Sequence, residues 1–217
     1  MVLRRSVFRS TATAASARRT AATVRKRAMD VVATAIPEVK RLTPRRFGDP
    51  RGFFCEVWNA HRMAEAGLAI EFVQDNHSFS AESGTVRGLH YQSPPNAQGK
   101  LVRVARGRIL DVAVDVRRGS PTYGRWVAEE LSYDNGAMLW VPRGFLHGFA
   151  TLEPDTDVIY KVDGYYAPEC DGSVRFDDPA LGIEWGVDPE RAVLSDKDAA
   201  APAFKDFESP FAYGYDA

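Results

Sequence analysis

The sequence predicts a single all-β domain built as a sandwich, jelly roll or barrel. Short apolar runs follow one another along the chain, and turn signals such as GDPRG, SPPNAQG and YDNG separate them about every 8–12 residues. Strands do not alternate regularly with helices, which argues against Rossmann-like folds. A chain of 217 residues is long enough for one domain with a sizeable core and short for two.

The clearest strand is ILDVAVDV at 109–116, because alternate residues from Leu110 to Val116 form an apolar face while the other face is mixed. Weaker forms of this pattern recur on both sides of it. In chain order, strands are expected at 38–43, 52–58, 71–74, 85–92, 100–105, 108–117, 125–132, 138–141, 146–152 and 157–162. A helix is predicted at 60–67 (AHRMAEAG), and a second short helix is expected near 197–201.

Charge is distributed unevenly along the chain. Residues 1–28 contain eight of the 28 Lys and Arg residues and no acid, so the remainder carries 20 bases against 29 acids. An acidic body argues against a nucleic-acid partner, because phosphate contacts need clustered bases. The apolar runs are also shorter than the roughly 18 residues that cross a bilayer, so no membrane partner is expected.

The basic segment at 1–28 has three explanations, which the sequence leaves open. Its Arg, Ser, Thr and Ala content is typical of an organelle transit peptide and equally of a disordered basic arm. Alternatively, Met29 begins the functional chain, since an apolar, β-like segment starts there. We therefore expect a disordered extension at 1–28, a folded domain at 29–205 and a C-terminal tail at 206–217.

The two cysteines, Cys55 and Cys170, lie far apart in the sequence, and neither belongs to a CxxC motif or a Cys/His ligand spacing. A disulfide scaffold is therefore not expected, and a reduced, cytoplasmic protein is predicted. Import into an organelle through residues 1–28 is the alternative.

The segment TVRGLHYQSPPNAQGKLVRV at 85–104 places Arg87, His90 and Lys100 among apolar runs. Burying charged and titratable groups costs stability unless they pair with other side chains or with a ligand. If the chain reverses around Pro94–Ala97, antiparallel pairing brings His90 opposite Lys100, with Cβ atoms about 5 Å apart. A nearby ammonium favours a neutral imidazole, which can act as a general base while the cation stabilises an oxyanion. This combination suits proton removal from a carbon beside a carbonyl.

Strict alternation puts Arg87 and His90 on opposite faces of their strand. We expect Gly88 to mark a β-bulge that turns one of them to the face of the other. Taken singly, each residue also has an ordinary structural explanation, such as a solvated lysine or an arginine paired with an acid.

Eight blocks of sequence, taken together and in order, resemble one enzyme family. They are FGDPRGFFCEVWN, FVQDNHSFS, VRGLHYQ, QGKLVRVARGRILDVAVDVRRGSPTYGRW, VPRGFLHGFATL, YKVDGYYAPE, DDPALGIEW and LSDKDAAAP. Over about residues 33–202 they resemble the dTDP-4-dehydrorhamnose 3,5-epimerase family. The resemblance implies an all-β, cupin-type double-stranded β-helix, or jelly roll, with a few short helices. It also implies a homodimeric isomerase of dTDP-L-rhamnose biosynthesis, which supplies cell-surface polysaccharide.

The resemblance further implies that no metal or organic cofactor takes part. The residues favour the same conclusion, since the four histidines form no HxH pair and no tight cluster with glutamate. These histidines are His61, His77, His90 and His147.

Four catalytic roles are implied at positions that match the family's motifs. His90, in RGLHYQ, matches the base that removes protons from C3 and C5 beside the C4 ketone of dTDP-4-dehydro-6-deoxy-D-glucose. Asp198, in SDKD, matches the carboxylate paired with that base, and Lys100, in QGKLV, matches the group that supports the enolate oxygen. Tyr160, in IYKVD, matches the acid that returns a proton to the opposite face, which gives dTDP-4-dehydro-L-rhamnose.

Ligand-contacting positions are implied in the same way. They are Arg51, Glu56, Gln74, Asp75, Asn76, Arg87, Lys100, His147, Tyr166, Asp171 and Lys197. Arginines suit a diphosphate because the guanidinium fork engages two oxygens together. Tyr166 matches the ring that stacks on thymine, with Tyr165 as the alternative. Asp171 stands where glutamate is usual and is one methylene shorter, which puts its ligand contact in question.

Three other functions stay open at this point. The first is a 3-epimerase that inverts C3 alone, because regiochemistry depends on how the substrate lies in the site. The second is a cupin without enzymatic activity that binds sugar nucleotides or serves in assembly, against which the presence of all four catalytic residues argues. The third is a metal-dependent cupin oxygenase or isomerase, which metal analysis distinguishes.

Overall fold

The computed structural model describes residues 29–214, which form an all-β jelly roll with a few short helices, as predicted. Its strands are β1 (Met29–Ala33), β2 (Lys40–Pro44), β3 (Arg46–Asp49), β4 (Gly52–Cys55), β5 (Gln74–Ser80), β6 (Val86–Gln92), β7 (Lys100–Arg106), β8 (Arg108–Asp115), β9 (Trp126–Ser132), β10 (Met138–Val141), β11 (Phe145–Thr151), β12 (Thr156–Val162) and β13 (Asp171–Ser173). The helices are α1 (Ala60–Glu65) and α2 (Asp196–Ala199), and short 3-10 turns occur at Pro168–Cys170, Pro189–Arg191 and Phe204–Asp206. None of the helices within this range is long and apolar enough to cross a membrane.

Two antiparallel sheets face each other. The larger has the order β1-β2-β10-β7-β12-β5, and the smaller has the order β13-β6-β11-β8-β9. The core between them takes Val102 and Val158 from the larger sheet and Ile109 and Phe149 from the smaller one. The hairpin β3–β4 forms a separate two-stranded sheet.

The outer face of each sheet is covered by a different part of the chain. On the larger sheet, Leu42 and Trp140 pack with Met63 of α1. On the smaller sheet, Val112 and Leu146 pack with residues of the C-terminal quarter of the chain. Strand β8 is therefore buried on both faces, and its mixed face is the one that points between the sheets.

Both predicted helices are present. The side chain of Asn59 accepts a hydrogen bond from the Arg62 N–H at the start of α1, and Met63 buries the apolar side of this helix. The side chain of Ser195 caps α2 in the same way by accepting from the Asp198 N–H.

The predicted strand at 71–74 is wrong, because β5 runs over Gln74–Ser80. This segment reads QDNHSFS, and its side chains alternate between an inward face and an exposed face. The inward face, with Gln74, Asn76 and Ser78, is polar because it lines a cavity, and the outward face carries Asp75 and His77 beside Phe79. The apolar alternation that marks a half-buried strand is therefore missing. Strand β13, with the sequence DGS, was not predicted either, because it contains no apolar residue.

The predicted hairpin of residues 85–104 is also wrong. Strand β6 lies in the smaller sheet and β7 in the larger one, so residues 93–99 cross between the sheets. His90 is paired with His147 and Ser173, while Lys100 is paired with Val141 and Val162. Alternating apolar residues and a Pro-Pro turn do not distinguish a hairpin from a crossover, since both connect two half-buried strands.

The C-terminal tail packs on the smaller sheet, and its last backbone hydrogen bond within residues 29–214 runs from the Tyr213 N–H to the Arg118 carbonyl. Phe211 is 1% exposed and belongs to the outer core of that sheet. The residues expected to form the N-terminal extension, 1–28, lie outside the described part of the chain.

Candidate active site

One cavity lies between the sheets and consists of two adjoining chambers. The Arg87 chamber, of about 420 Å³, is lined among others by Ser78, Arg87, His147, Phe149 and Asp198. The Tyr166 chamber, of about 390 Å³, is lined among others by Gln74, Asn76, Tyr91, Tyr166 and Asp171. The two chambers meet at the side chains that line both, which are His90, Lys100, Tyr160 and Lys197.

A larger depression, of about 720 Å³, lies at the β7–β8 and β9–β10 turns. Its charges neutralise one another, since Arg108 lies 3.6 Å from Glu130 and 3.2 Å from Glu153. None of the predicted site residues lines it. We therefore place the candidate active site in the cavity between the sheets.

A β-bulge at Gly88 brings Arg87 and His90 into the same cavity. Between the pairs that β6 makes at these two residues, the partner strand β11 has one residue fewer. Gly88 has a φ of +135°, and a Cβ on it would lie 2.5 Å from the Cα of Gly148. Only glycine combines this φ with so close an approach of two backbones. The predicted bulge is confirmed.

A hydrogen bond joins His90 on β6 to Asp198 on α2, with 2.5 Å between Nε2 and Oδ1. The side chain of Asp198 is 4% exposed and that of His90 is 28% exposed, so the carboxylate is buried while the imidazole reaches the cavity. Because Nε2 is engaged by the carboxylate, Nδ1 is the ring nitrogen that remains for a substrate.

The charge on Asp198 is fixed by its hydrogen bonds. Burial raises the pKa of this carboxyl, but hydrogen bonds from His90 and Ser195, together with the electrostatic interactions with His90 and Lys197, outweigh burial and hold the pKa below its usual value. The carboxylate is therefore ionised at neutral pH. It can orient the ring of His90 and stabilise the imidazolium that forms when the ring accepts a proton.

Lys100 begins β7 and brings a desolvated cation to the junction of the two chambers. Burial lowers the pKa of its ammonium to about 8, while Asp111 and Asp171 act to raise the pKa and Lys197 to lower it. At pH 7 most of the lysine is still charged. A poorly solvated cation interacts strongly with negative charge that develops on a neighbouring oxygen.

Tyr160 reaches the cavity from the sheet opposite His90, because β12 belongs to the larger sheet and β6 to the smaller one. Its ring packs against the core between the sheets. Burial raises the pKa of the phenol, although the charge of Arg87 opposes this shift. The phenol is therefore protonated at neutral pH and can donate a proton into the cavity.

His147 lies beside this junction and is fixed from behind by Asp111. Its Nε2 lies 2.8 Å from Oδ1 of Asp111, and both side chains are buried. Burial lowers the pKa of His147, although Asp111 acts to raise it, so the ring is neutral at pH 7. Since the carboxylate accepts the Nε2 proton, Nδ1 of this neutral ring is left as a hydrogen-bond acceptor.

Polar side chains line the Tyr166 chamber. Gln74 donates to Asn76 over 2.9 Å and accepts from the backbone N–H of Tyr166 over 3.1 Å. Lys197 and Asp171 form an ion pair between α2 and β13 at this chamber. The chamber therefore combines an aromatic ring, amides and a lysine, which suits a polar ligand that carries a ring and negative charge.

The sequence matches known proteins over most of its length. A model of the dTDP-4-dehydrorhamnose 3,5-epimerase family matches residues 33–206. The chain belongs to this family. It is 54% identical over 185 residues to the dTDP-4-dehydrorhamnose 3,5-epimerase of Sinorhizobium fredii, which covers 82% of this chain and 91% of the relative.

Solved structures of family members share the fold. The 3,5-epimerase of Legionella pneumophila, in complex with dTDP-4-keto-L-rhamnose, is 45% identical with a TM-score of 0.81, covering 87% of this chain and all of that one. A 3'-monoepimerase of Streptomyces bikiniensis, in complex with dTDP-quinovose, is 34% identical with a TM-score of 0.74, covering 79% of this chain and 86% of that one. The solved structures that this chain resembles therefore include one that is named for inversion at one centre.

Three ligand positions suggested by the family motifs lie outside the cavity of this chain. Arg51, in the turn of β3–β4, has an 88% exposed side chain that pairs with Asp49. Glu56 pairs with Arg62 over 2.8 Å. Asp75 lies on the outward face of β5, where it pairs with Lys161 over 3.0 Å. The other predicted positions line the cavity.

Among the groups at the site that the sequence did not predict, Asp111 and Ser78 bear most directly on its chemistry. Asp111 lies behind His147, and the signal for it was an aspartate inside the apolar run ILDVAVDV. Ser78 lines the Arg87 chamber on the same face of β5 as Gln74 and Asn76, and strand alternation would have revealed it if β5 had been predicted. Within residues 29–214, no group of three or more His, Cys, Asp or Glu side chains is arranged to hold a metal ion. Metal independence stays a prediction.

Proposed function

We propose that this chain inverts C3 and C5 of dTDP-4-dehydro-6-deoxy-D-glucose and so gives dTDP-4-dehydro-L-rhamnose. The observation that carries the proposal is the pair of rings, His90 and Tyr160, which reach one cavity from opposite sheets. Inversion at carbon requires a proton to leave one face and another to arrive on the opposite face. A base and an acid on facing walls meet that requirement.

His90 acts as the base. Its ring takes the proton from the carbon beside the ketone, and the electron pair of the broken C–H bond moves into the carbonyl to give an enolate. The carboxylate of Asp198, 2.5 Å from Nε2, stabilises the imidazolium. Lys100 lines the same junction of the two chambers as His90 does. Its ammonium can therefore stabilise the enolate oxygen.

Tyr160 acts as the acid. Its phenol gives a proton to the opposite face of the enolate carbon, the carbonyl reforms, and the phenolate regains a proton from solvent. The same sequence at the second centre completes the reaction, and the imidazolium loses its proton to solvent between the two steps. His147, held neutral by burial, offers Nδ1 as an acceptor for a sugar hydroxyl.

The nucleotide occupies the Tyr166 chamber in this proposal. Tyr166 is 56% exposed at its rim, as a ring that stacks on a base must be, and Tyr165 is the alternative. Lys197, which lines both chambers, supplies positive charge for the diphosphate, and Arg87 adds positive charge from the adjoining chamber. When Lys197 binds the diphosphate, it exchanges its ion pair with Asp171 for a phosphate oxygen. Asp171, one methylene shorter than glutamate, is therefore the counter-ion of Lys197 when no diphosphate is bound.

We further propose that the protein is a homodimer in which the β3–β4 hairpin reaches the partner. Among the described residues, 29–214, the hairpin pairs with no other strand, and Phe54 on it is 70% exposed, with Phe47 and Phe53 also exposed. A two-stranded hairpin with exposed aromatic rings gains stability when another surface covers it. In a dimer, Arg51 and Glu56 of one chain can then reach the cavity of the other.

The working compartment is proposed to be the cytoplasm, where thiols stay reduced. Both cysteines, Cys55 and Cys170, are free thiols. We also propose that the reaction uses no metal or organic cofactor, because a base, an acid and an oxyanion partner are already present as side chains.

The test is incubation with dTDP-4-dehydro-6-deoxy-D-glucose in deuterated buffer, read by proton NMR. Deuterium at both C3 and C5 with an L-configured product supports the proposal. Deuterium at C3 alone supports the second candidate, a 3-epimerase. The similarity of this chain to the Streptomyces bikiniensis 3'-monoepimerase is the observation that favours this candidate. No label at either carbon contradicts both.

A further inference from the structure

The last described residues pack behind the strand that carries His90. We call Phe204–Gly214 the C-terminal strap. Tyr91 follows His90 in β6, and its ring meets Phe207 edge-on at 5.3 Å and Phe211 edge-on at 6.1 Å between centroids. On its other side the ring of Tyr91 lies over Gly172 of β13, where a Cβ would come within 2.3 Å of Cζ. The ring is therefore held between the strap and β13.

The strap is fixed to the smaller sheet at its far end. The backbone N–H of Arg118 donates to the Phe211 carbonyl over 3.0 Å, and the N–H of Tyr213 donates to the Arg118 carbonyl over 2.9 Å. The Ser209 hydroxyl donates to the Val116 carbonyl. With Phe211 buried between these contacts, the strap is a rigid support for Tyr91.

The strap also continues directly from the helix that carries Asp198. Helix α2 has four residues, which is too short to be stable without outside contacts. Upstream, the N–H of Val86 donates to the Val193 carbonyl over 3.0 Å, which ties α2 to the start of β6. Downstream, the N–H of Phe204 donates to the Asp178 side chain over 2.8 Å, which anchors the chain that follows α2.

We propose that the C-terminal strap positions the His90–Asp198 pair, and that Phe207 is its main positioning residue. One partner sits on β6, supported through Tyr91, and the other sits on α2, whose downstream end runs into the strap. Phe207 and the rest of the strap to Gly214 lie beyond the family match, which ends at residue 206. Displacing catalytic groups by about 1 Å costs up to about 100-fold in rate. The inference rests on the proposed epimerase function.

The test compares Phe207→Ala, Phe207→Tyr and Tyr123→Ala with the wild type in the deuterium-exchange assay, well below the unfolding temperature. Tyr123 is the matched control, because its ring meets the strap at Phe204, with 6.1 Å between centroids, and not at β6. We expect Phe207→Ala to lower kcat about tenfold and to change KM and the affinity for dTDP by a smaller factor, since Tyr91 also lines the Tyr166 chamber. Phe207→Tyr keeps the ring and should stay within about twofold of the wild type.

The outcomes separate this inference from the proposed function. If the wild type does not epimerise, the proposed function fails. If the wild type is active, three results overturn the positioning role. They are an unchanged kcat in Phe207→Ala, a change in its KM without a change in kcat, and an equal loss of kcat in Tyr123→Ala. Should Phe207→Ala fail to fold, Phe207→Leu is judged by the same kcat and KM criteria.

Discussion

Replacing Lys100 by methionine should stabilise the free protein while it removes turnover. Burial lowers the pKa of this lysine from 10.5 to about 8, which means that the folded chain holds the ammonium less favourably than the unfolded chain does. Each unit of pKa difference between the folded and unfolded chain corresponds to about 1.4 kcal/mol in the free energy of unfolding. The full difference is about 3 kcal/mol. The ammonium lies among protein atoms, but part of the Lys100 side chain is exposed to the cavity, so we expect only about 2 kcal/mol to be measurable.

The pH dependence of this effect has a definite sign. Below pH 8 both states of the wild type carry the proton, so the whole penalty is present. Between pH 8 and pH 10.5 the unfolded chain binds a proton that the folded chain has lost, so the stability of the wild type rises with pH relative to Lys100→Met. The variant should therefore have the larger free energy of unfolding at pH 7, and the difference should shrink towards pH 10.5.

Urea unfolding of both proteins at several pH values between 7 and 10.5 measures this difference. Lys205→Met, at an exposed position, is the control and should change stability by less than about 0.5 kcal/mol. A Lys100→Met protein that is less stable than the wild type at pH 7 would refute the reasoning, as would a stability difference that does not vary with pH.

Three further predictions concern the base, the N-terminal segment and the absence of a metal. His90→Ala should lower deuterium exchange by about 100-fold or more, because it removes the base, and substantial remaining exchange would place the base elsewhere. Deletion of residues 1–28 should leave kcat and KM within about twofold, since every proposed site residue lies after residue 29. A large loss on deletion would show that the segment takes part. Dialysis against a chelator should leave turnover unchanged, whereas a loss that zinc or iron restores would favour a metal-dependent cupin.

The sequence predicts best those parts of the fold in which burial follows a simple period. Strand β8 and the helix at Ala60–Glu65 are found within a few residues of their expected bounds, because one buries alternate residues and the other has a capped, amphipathic turn. Strand β5 was misplaced because its inward face lines a cavity and is polar. A cavity wall breaks the apolar pattern where most of a strand's inward face is polar, as in β5, whereas β6, β7 and β12 keep enough apolar residues to be predicted although they carry His90, Lys100 and Tyr160.

The candidate site shows the same limit. His90 and Lys100 were expected to meet across a hairpin, yet they meet across the space between two sheets. Local sequence gives residue types and strand alternation, whereas the neighbours of a strand depend on the path of the whole chain. The bulge at Gly88 was predictable because a glycine between two functional residues is a local signal. The pairing of His90 with Asp198, 108 positions apart, came only from resemblance.

The proton NMR spectrum of Tyr160→Phe turnover in deuterated buffer tests most directly whether two rings act on one ketosugar from opposite sheets. The variant keeps His90 but lacks the phenol, so it should still exchange the C3 proton of the substrate for deuterium. The rate of inversion should fall by a factor at least about ten times larger than the factor for exchange. Equal loss of exchange and inversion, or full inversion without the phenol, would contradict the account.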